Sequence, residues 1–148
     1  MSHTYTKLLT HAIFSTKNRT KLIAANVQPL LHAYLGGIVR DFGGSALAVG
    51  GVEDHVHMLI LLPPRLAVSD AMREIKSGSS RWMKEQHEQS FAWQTGFAAF
   101  SVSQSRVAET AAYIANQAEH HRVKTFQEEL IEFLKGYDVE YDEKYLWD

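Results

Sequence analysis

Two histidines separated by one residue are the most chemically suggestive feature of this sequence. His55 and His57 flank Val56 and lead directly into the apolar run 58–62. Side chains alternate along a β-strand, so both imidazoles face the same side of it. Neutral imidazole is a common metal ligand, and the pair therefore predicts a divalent cation site on a rigid strand. The alternative is a pair of ordinary core or surface histidines, because so short a motif also recurs by chance.

A tyrosine and a glutamine about fifty residues later form a second candidate group. Tyr113 and Gln117 lie in a run from Arg106 to His121 that is typical of a helix, and their i, i+4 spacing puts them on one face. The apolar stripe of this predicted helix is centred about 130° away and consists of Val107, Ala111, Ile114 and Ala118. The pair is thus predicted to face away from the helix's own packing seam, and a metal held by the two histidines is a candidate for what it faces.

These motifs resemble those of a known family. His55-Val56-His57 resembles the HUH motif (His, hydrophobic, His), and Tyr113 with Gln117 resembles its Tyr-x-x-x-Gln partner. Together they are similar to the single-tyrosine transposases of the simplest bacterial and archaeal insertion sequences, the IS200-like family. The resemblance covers nearly the whole chain, including residues 11–19, 76–81, 93–103 and 136–147. Glu53 departs from the pattern, since proline is more usual before the Asp-His pair.

The resemblance implies a specific chemistry. Tyr113 would be the nucleophile that cleaves single-stranded DNA, leaving a 5′-phosphotyrosine and a free 3′-hydroxyl. His55, His57 and Gln117 would hold the metal, Mg²⁺ or Mn²⁺. The phosphotyrosine link conserves the bond energy, so no nucleotide cofactor is expected, and the sequence has no Gly-rich phosphate loop. The family also implies a homodimer that recognises DNA hairpins at the ends of the element.

The distribution of charge is compatible with DNA binding although the net charge is −2. Residues 1–127 carry 13 Lys/Arg against 9 Asp/Glu, and the tail 128–148 carries 2 against 8. A basic body can bind phosphates, although a solvated acidic tail is also common. The candidate DNA-binding residues are basic side chains of a loop and of one helix face, with two histidines that follow the tyrosine: Lys17, Arg19, Arg73, Lys76, Arg81, His120 and His121.

The composition of the chain excludes several kinds of site and indicates its cellular location. The chain has no cysteine, so disulfides and thiolate metal sites are excluded. No signal peptide is recognisable, and the longest apolar stretch, 56–62, is too short to span a bilayer. We therefore expect a cytoplasmic protein without membrane contact. Its 148 residues suit a single domain over 1–148, with an acidic, aromatic tail that packs on the body or on a second subunit.

The order of predicted elements indicates the fold. Strands are predicted at 5–17, 45–52, 55–62 and 93–103, the last as one strand or two. Helices are predicted from Asn26 to Gly43, from Ser69 to Glu85, from Ser103 or Ser105 through Tyr113, and at 125–135. The near-continuous apolar run at 56–62 favours a central strand covered on both faces. This order predicts an α+β, ferredoxin-like (split βαβ) antiparallel sheet with packed helices and a catalytic C-terminal helix.

Two other functions remain as alternatives. One is a non-catalytic, domesticated nucleic-acid-binding module of the same fold, which would have no need of all four residues His55, His57, Tyr113 and Gln117. The other is a small metal-dependent hydrolase that uses metal-bound water and leaves Tyr113 dispensable.

Overall fold

A four-stranded antiparallel sheet is the centre of the molecule. The structure is a computed structural model that describes residues 3–148. Its strands are β1 (Leu8–Ser15), β2 (Ser45–Gly51), β3 (His55–Leu62) and β4 (Ala98–Ser101), and its helices are α1 (Gln28–Asp41), α2 (Val68–Gln86), α3 (Val107–Ala115), α4 (Gln117–His120) and α5 (Phe126–Gly136). The strand order is β2-β3-β1-β4, with every neighbouring pair antiparallel. The α+β, ferredoxin-like prediction is confirmed.

One face of the sheet carries the main apolar core. Alternate residues of β1 and β3 point towards α1 and α2, whose apolar stripes cover them. This core includes Ala12, Phe14, Val56, Met58, Ile60, Leu31, Leu35, Val39, Met72 and Ile75. It stabilises the sheet without using any candidate functional side chain. Among the described residues no helix is both long and apolar enough to cross a membrane.

The other face of the sheet carries the histidines. His55 and His57 alternate with the core residues of β3, and Ser15 and Ile13 are their direct partners across β1. A second apolar cluster on this side joins the sheet to α5 and the C-terminal tail, and it includes Ile13, Phe100, Phe126, Leu130, Leu134 and Trp147. The prediction that β3 is central and covered on both faces is confirmed, and the aromatic tail packs on its own chain.

Several predicted boundaries are wrong. β1 begins at Leu8 rather than Tyr5, and the predicted strand 93–103 shrinks to the four residues of β4, with Trp93 making only an isolated bridge to Thr16. Neither Asn26 nor Ser69 is an N-cap, because α1 follows Val27 and α2 follows Ala67. No serine side chain caps α3, which is preceded by a 3₁₀ turn at Gln104–Arg106. The 125–135 helix is correct, and Thr125 caps it in a capping box with Glu128.

The predicted continuous helix through Tyr113 is also wrong. α3 ends at Ala115, and Asn116 leaves helical geometry at φ −104° and ψ 26° before α4 begins. Only Ile114 of the predicted stripe is fully buried, and Ala118 is exposed. The break turns the chain so that Gln117, rather than Ala118, is directed inward. Helical periodicity could not predict the inward direction of Gln117, because it assumes a continuous helix.

A glycine on β2 allows α3 to approach the sheet. A Cβ placed on Gly50 would overlap the main-chain carbonyl of Ile114, one residue from Tyr113. Glycine is the residue that permits such a close backbone approach. Gly50 therefore permits the short distance between α3 and the sheet beside the histidine strand β3.

We predict that Gly50→Ala destabilises the protein by about 1–3 kcal/mol, as overpacking against a rigid backbone does. Thermal unfolding should show a melting temperature several degrees lower. Gly136→Ala is the control, because nothing lies within 4 Å of a Cβ at that position at the end of α5, and it should leave the melting temperature unchanged or raised. Equal melting temperatures for Gly50→Ala and the wild type would contradict a tight α3–sheet contact.

Candidate functional site

His55 is held in one orientation by the residue before it. Its Nδ1 lies 2.7 Å from the Oδ1 atom of Asp54, and the imidazole is fully buried. A carboxylate only accepts, so Nδ1 carries a proton, and Nε2 is the ring nitrogen that points to the interior. A metal-binding histidine commonly shows this arrangement, in which the second ring nitrogen donates to a carboxylate or a carbonyl. Asp54 therefore orients His55.

His57 forms a chain of hydrogen bonds with two other side chains. Its Nδ1 lies 2.8 Å from Nε2 of His11, and its Nε2 donates to Oε1 of Glu129 at 2.8 Å. Burial lowers the pKa of His57 to about 4 and that of His11 to about 3. Both rings are therefore neutral near pH 7. His11 was not singled out by its type or spacing, and only the pairing of β1 with β3 brings it to the histidine face.

Tyr113 reaches this face from α3 of the same chain. Its ring centroid lies 5.7 Å from that of His57, and its hydroxyl hydrogen bonds to the carboxylate of Glu129 and lies 3.0 Å from Nε2 of His120. Burial, together with the nearby Glu129 carboxylate, raises the pKa of the Tyr113 phenol. The hydroxyl is thus a neutral donor at rest, held within the histidine cluster.

Gln117 points its oxygen into the same cluster. Its Nε2 donates to the main-chain oxygen of Tyr113, which turns Oε1 inward. Oε1 lies 3.3 Å from Nε2 of His55 and 3.0 Å from Nε2 of His121. The side chain is 1% exposed. The structure therefore brings His55, His57, Tyr113 and Gln117 together, as the sequence predicted.

Glu129, like His11, is a residue that sequence reasoning missed. It lies on α5, is 1% exposed, and its carboxylate contacts Tyr113, His57 and His121. Burial alone would raise the pKa of Glu129, but the hydrogen bonds from His121 and His57 outweigh burial and hold it well below its usual range. A signal existed: Glu129 occupies an apolar position of the α5 stripe formed by Phe126, Leu130, Phe133 and Leu134, where a charged residue needs partners.

His120 and His121 face this site rather than open solvent. Nε2 of His121 lies 3.2 Å from Oε1 of Glu129, and its Nδ1 donates to the carbonyl of Lys124 at 2.8 Å. Burial alone would lower the pKa of His121, but the Glu129 carboxylate raises it. Nε2 of His120 lies 3.3 Å from Oε2 of Glu129. Their predicted contacts with DNA phosphates remain a prediction.

The basic candidates lie on two other surfaces. Lys17 is exposed, and the guanidinium of Arg19 stacks over Trp147 at 5.2 Å. On α2, Arg73 and Arg81 are exposed, and Arg73 pairs with Asp70 at 3.0 Å. Lys76 is already engaged, since its ammonium donates to three carbonyl oxygens of residues 94–96 at 2.6–3.0 Å. Burial lowers the pKa of Lys76 to about 8.

The clustered donors fit a divalent cation. Ligand atoms of His55, His57, His121 and Glu129 all lie within 4.8 Å of one another. Imidazole nitrogen with carboxylate and amide oxygen is a set that binds transition metals and Mn²⁺. Gln117, which the sequence predicts as a third ligand with His55 and His57, places its Oε1 beside these atoms.

Clefts on either side of Tyr113 open the site to solvent. One, of about 610 Å³, is lined by residues of β1, β4, α3 and α5, including His11, Arg106, Tyr113 and Tyr137. A neighbouring cleft of about 480 Å³ shares Arg106, Tyr113 and Tyr137 and adds His120. Tyr113 thus lines both clefts.

Comparison with known proteins finds a matching family and several related transposases. The family model "Transposase IS200 like" matches residues 4–117. The ISDra2 transposase TnpA of Deinococcus radiodurans is 26% identical over 114 residues, covering 72% of this chain and 81% of that protein. The crystal structure, at 1.90 Å, of a candidate transposase from Deinococcus radiodurans R1 has 25% identity and a TM-score of 0.65, covering 79% of this chain and 95% of that one.

A second solved structure shares the fold over more of the chain. A REP-associated tyrosine transposase bound to a REP hairpin covers 96% of this chain and 91% of its own, with 20% identity and a TM-score of 0.60. At that identity the likeness concerns the fold alone. Since the family model spans most of the chain and includes both histidines, Tyr113 and Gln117, the chain belongs to the IS200-like transposase family.

Proposed function

We propose that this transposase cleaves and rejoins single-stranded DNA, with Tyr113 as the nucleophile and His55, His57 and Gln117 as metal ligands. One observation carries the proposal: the Tyr113 hydroxyl, the Gln117 oxygen and the buried histidines meet around the carboxylate of Glu129. The Tyr113 hydroxyl is thus held beside the histidines that are the candidate metal ligands, rather than in the apolar core.

The reaction follows from what these side chains can do. The Tyr113 oxygen attacks a phosphodiester in line, forming a 5′-phosphotyrosine bond while the 3′-oxygen leaves and takes up a proton. A divalent cation, when bound, draws charge from a phosphate oxygen and makes the phosphorus easier to attack. His55 and His57, held by Asp54 and His11, keep their ring orientation throughout. Rejoining reverses the step, with a 3′-hydroxyl attacking the phosphotyrosine.

The proposed partners are DNA and a second copy of the chain. A structural relative was solved bound to a REP hairpin, and we propose that this chain also recognises hairpins at the ends of its element. We propose, from the family, that the cleaved strand is single. The homodimer is proposed from the family. Bacterial and archaeal DNA lies in the cytoplasm, where we expect this enzyme to act.

Tyr113→Phe is predicted to abolish strand cleavage and the covalent protein–DNA adduct together, by at least about 10³-fold, while DNA binding persists. The substitution removes one oxygen and leaves the ring in place. Denaturing gels with labelled single-stranded DNA and Mn²⁺ measure both products. Tyr137→Phe is the matched control, since Tyr137 lines the same clefts, and it should retain the adduct.

Cleavage that persists in a folded Tyr113→Phe protein would point to a water nucleophile and end the proposal. Thermal melting of the same sample shows whether the protein is folded. If Tyr113 served only packing, Tyr113→Phe would lower the melting temperature but leave the activity per folded molecule unchanged.

Both strand histidines should be needed for metal binding, because they share one face of the sheet. Calorimetry with Mn²⁺ is expected to show at least a tenfold loss of affinity for His55→Ala and for His57→Ala. His87→Ala, an exposed histidine at the end of α2, is the control. Unchanged affinity in either strand mutant would remove that residue from the metal site.

Single-stranded DNA should bind more tightly than a duplex of the same sequence, and mainly through phosphates. The logarithm of the binding constant should then fall linearly with the logarithm of salt concentration, with a slope of about −0.7 per phosphate contact. Fluorescence anisotropy at several salt concentrations measures this. Duplex binding that is tighter and insensitive to salt would contradict the proposal.

A further inference from the structure

The carboxylate of Glu129 has two oxygens that serve different partners. Oε1 faces the imidazoles, at 2.8 Å from Nε2 of His57, 3.2 Å from that of His121 and 3.7 Å from that of His55. Oε2 faces the other way and accepts from the Tyr113 hydroxyl. One buried group therefore joins the histidine cluster to the candidate nucleophile.

His121 is arranged as His55 is. Nδ1 of His55 donates to a carboxylate, and Nδ1 of His121 donates to the Lys124 carbonyl at 2.8 Å. In each ring this leaves Nε2 turned towards the interior. Engagement of the outer nitrogen by a carbonyl or a carboxylate is the usual arrangement around a metal-binding histidine.

The inner nitrogens of both rings face the same amide oxygen. Nε2 of His55 lies 3.3 Å from Oε1 of Gln117, and Nε2 of His121 lies 3.0 Å from the same oxygen. Imidazole nitrogens with carboxylate and amide oxygens are the atom types that ligate divalent cations. These side chains therefore converge on one place where a cation can take several ligands.

The spacing of these atoms suits one small cation. Metal–ligand bonds of 2.0–2.2 Å place neighbouring ligand atoms about 3–3.5 Å apart. The contacts of Glu129 Oε1 with His57, His121 and His55, at 2.8, 3.2 and 3.7 Å, bracket that range. His120 does not belong to this set, because its Nε2 approaches Oε2 on the tyrosine side.

We propose that Glu129 and His121 are further ligands of the divalent metal, Glu129 through Oε1, while its Oε2 holds the Tyr113 hydroxyl. This rests on the proposed function and extends its metal site beyond residues 4–117, the part matched by the family. Three imidazoles and a carboxylate bind a transition metal such as Mn²⁺ or Zn²⁺ in preference to Mg²⁺, which favours oxygen ligands.

Calorimetry with Mn²⁺ on Glu129→Gln and His121→Ala tests the proposal without any activity measurement. Each variant should lose affinity by about tenfold or more. Controls are Glu132→Gln, an exposed carboxylate one turn further along α5, and His87→Ala, an exposed imidazole; both should bind as the wild type does. Water-proton relaxation of bound Mn²⁺ should increase in His121→Ala, because this substitution removes the ligand nitrogen and a water takes its position.

Wild-type affinity and relaxation in both Glu129→Gln and His121→Ala would overturn the proposal and leave a plain His121–Glu129 ion pair. His55→Ala in the same assay separates the two claims: if it alone loses metal, the proposed function's metal site stands and the extension falls. If a variant does not fold, nitrogen NMR of histidine-labelled wild type with Zn²⁺ decides. The Nε2 signals of His55, His57 and His121 should shift while that of His120 does not, and an unshifted His121 would overturn the proposal.

Discussion

A carboxylate buried to 1% exposure must be compensated by its neighbours, and in this protein the neighbours are the candidate catalytic groups. Glu129 accepts from His57 on β3, from His121 after α4 and from Tyr113 on α3. If α5 moved away, these donors would lose their partner, and Glu129 would meet solvent. The contacts that compensate the buried charge of Glu129 thus link β3, α3 and the segment after α4 to α5.

The two faces of the sheet have different roles, one in stability and the other in the candidate chemistry. The face towards α1 and α2 is filled with apolar side chains, whereas the face towards α3 and α5 carries the histidines. Because strand side chains alternate, one strand supplies both: Val56 and Met58 enter the core while His55 and His57 enter the site. The imidazoles are consequently mounted on a strand that the core holds rigid.

Approach of the tyrosine depends on small backbone details. Gly50 lets the carbonyl of Ile114 lie against β2, and the helix break at Asn116 turns Gln117 inward. With this break, Gln117 is buried and Ala118 is exposed. The geometry that brings the hydroxyl to the imidazoles is therefore set by one glycine and one non-helical residue.

The amino-acid sequence by itself determined the fold class and the common face of His55 and His57, because the period of two residues along a strand is a local property. The Tyr-x-x-x-Gln pattern also identified Tyr113 and Gln117 as partners, although the helix break at Asn116 that directs Gln117 inward is visible only in the structure. Only the tertiary structure decided that His11 and Glu129, 44 residues before and 74 after His55, join that site. It also decided that the Lys76 ammonium donates hydrogen bonds to three main-chain carbonyl oxygens. Such contacts join segments remote in sequence, and the free energy that forms them comes from burying both faces of the sheet, which no local pattern encodes.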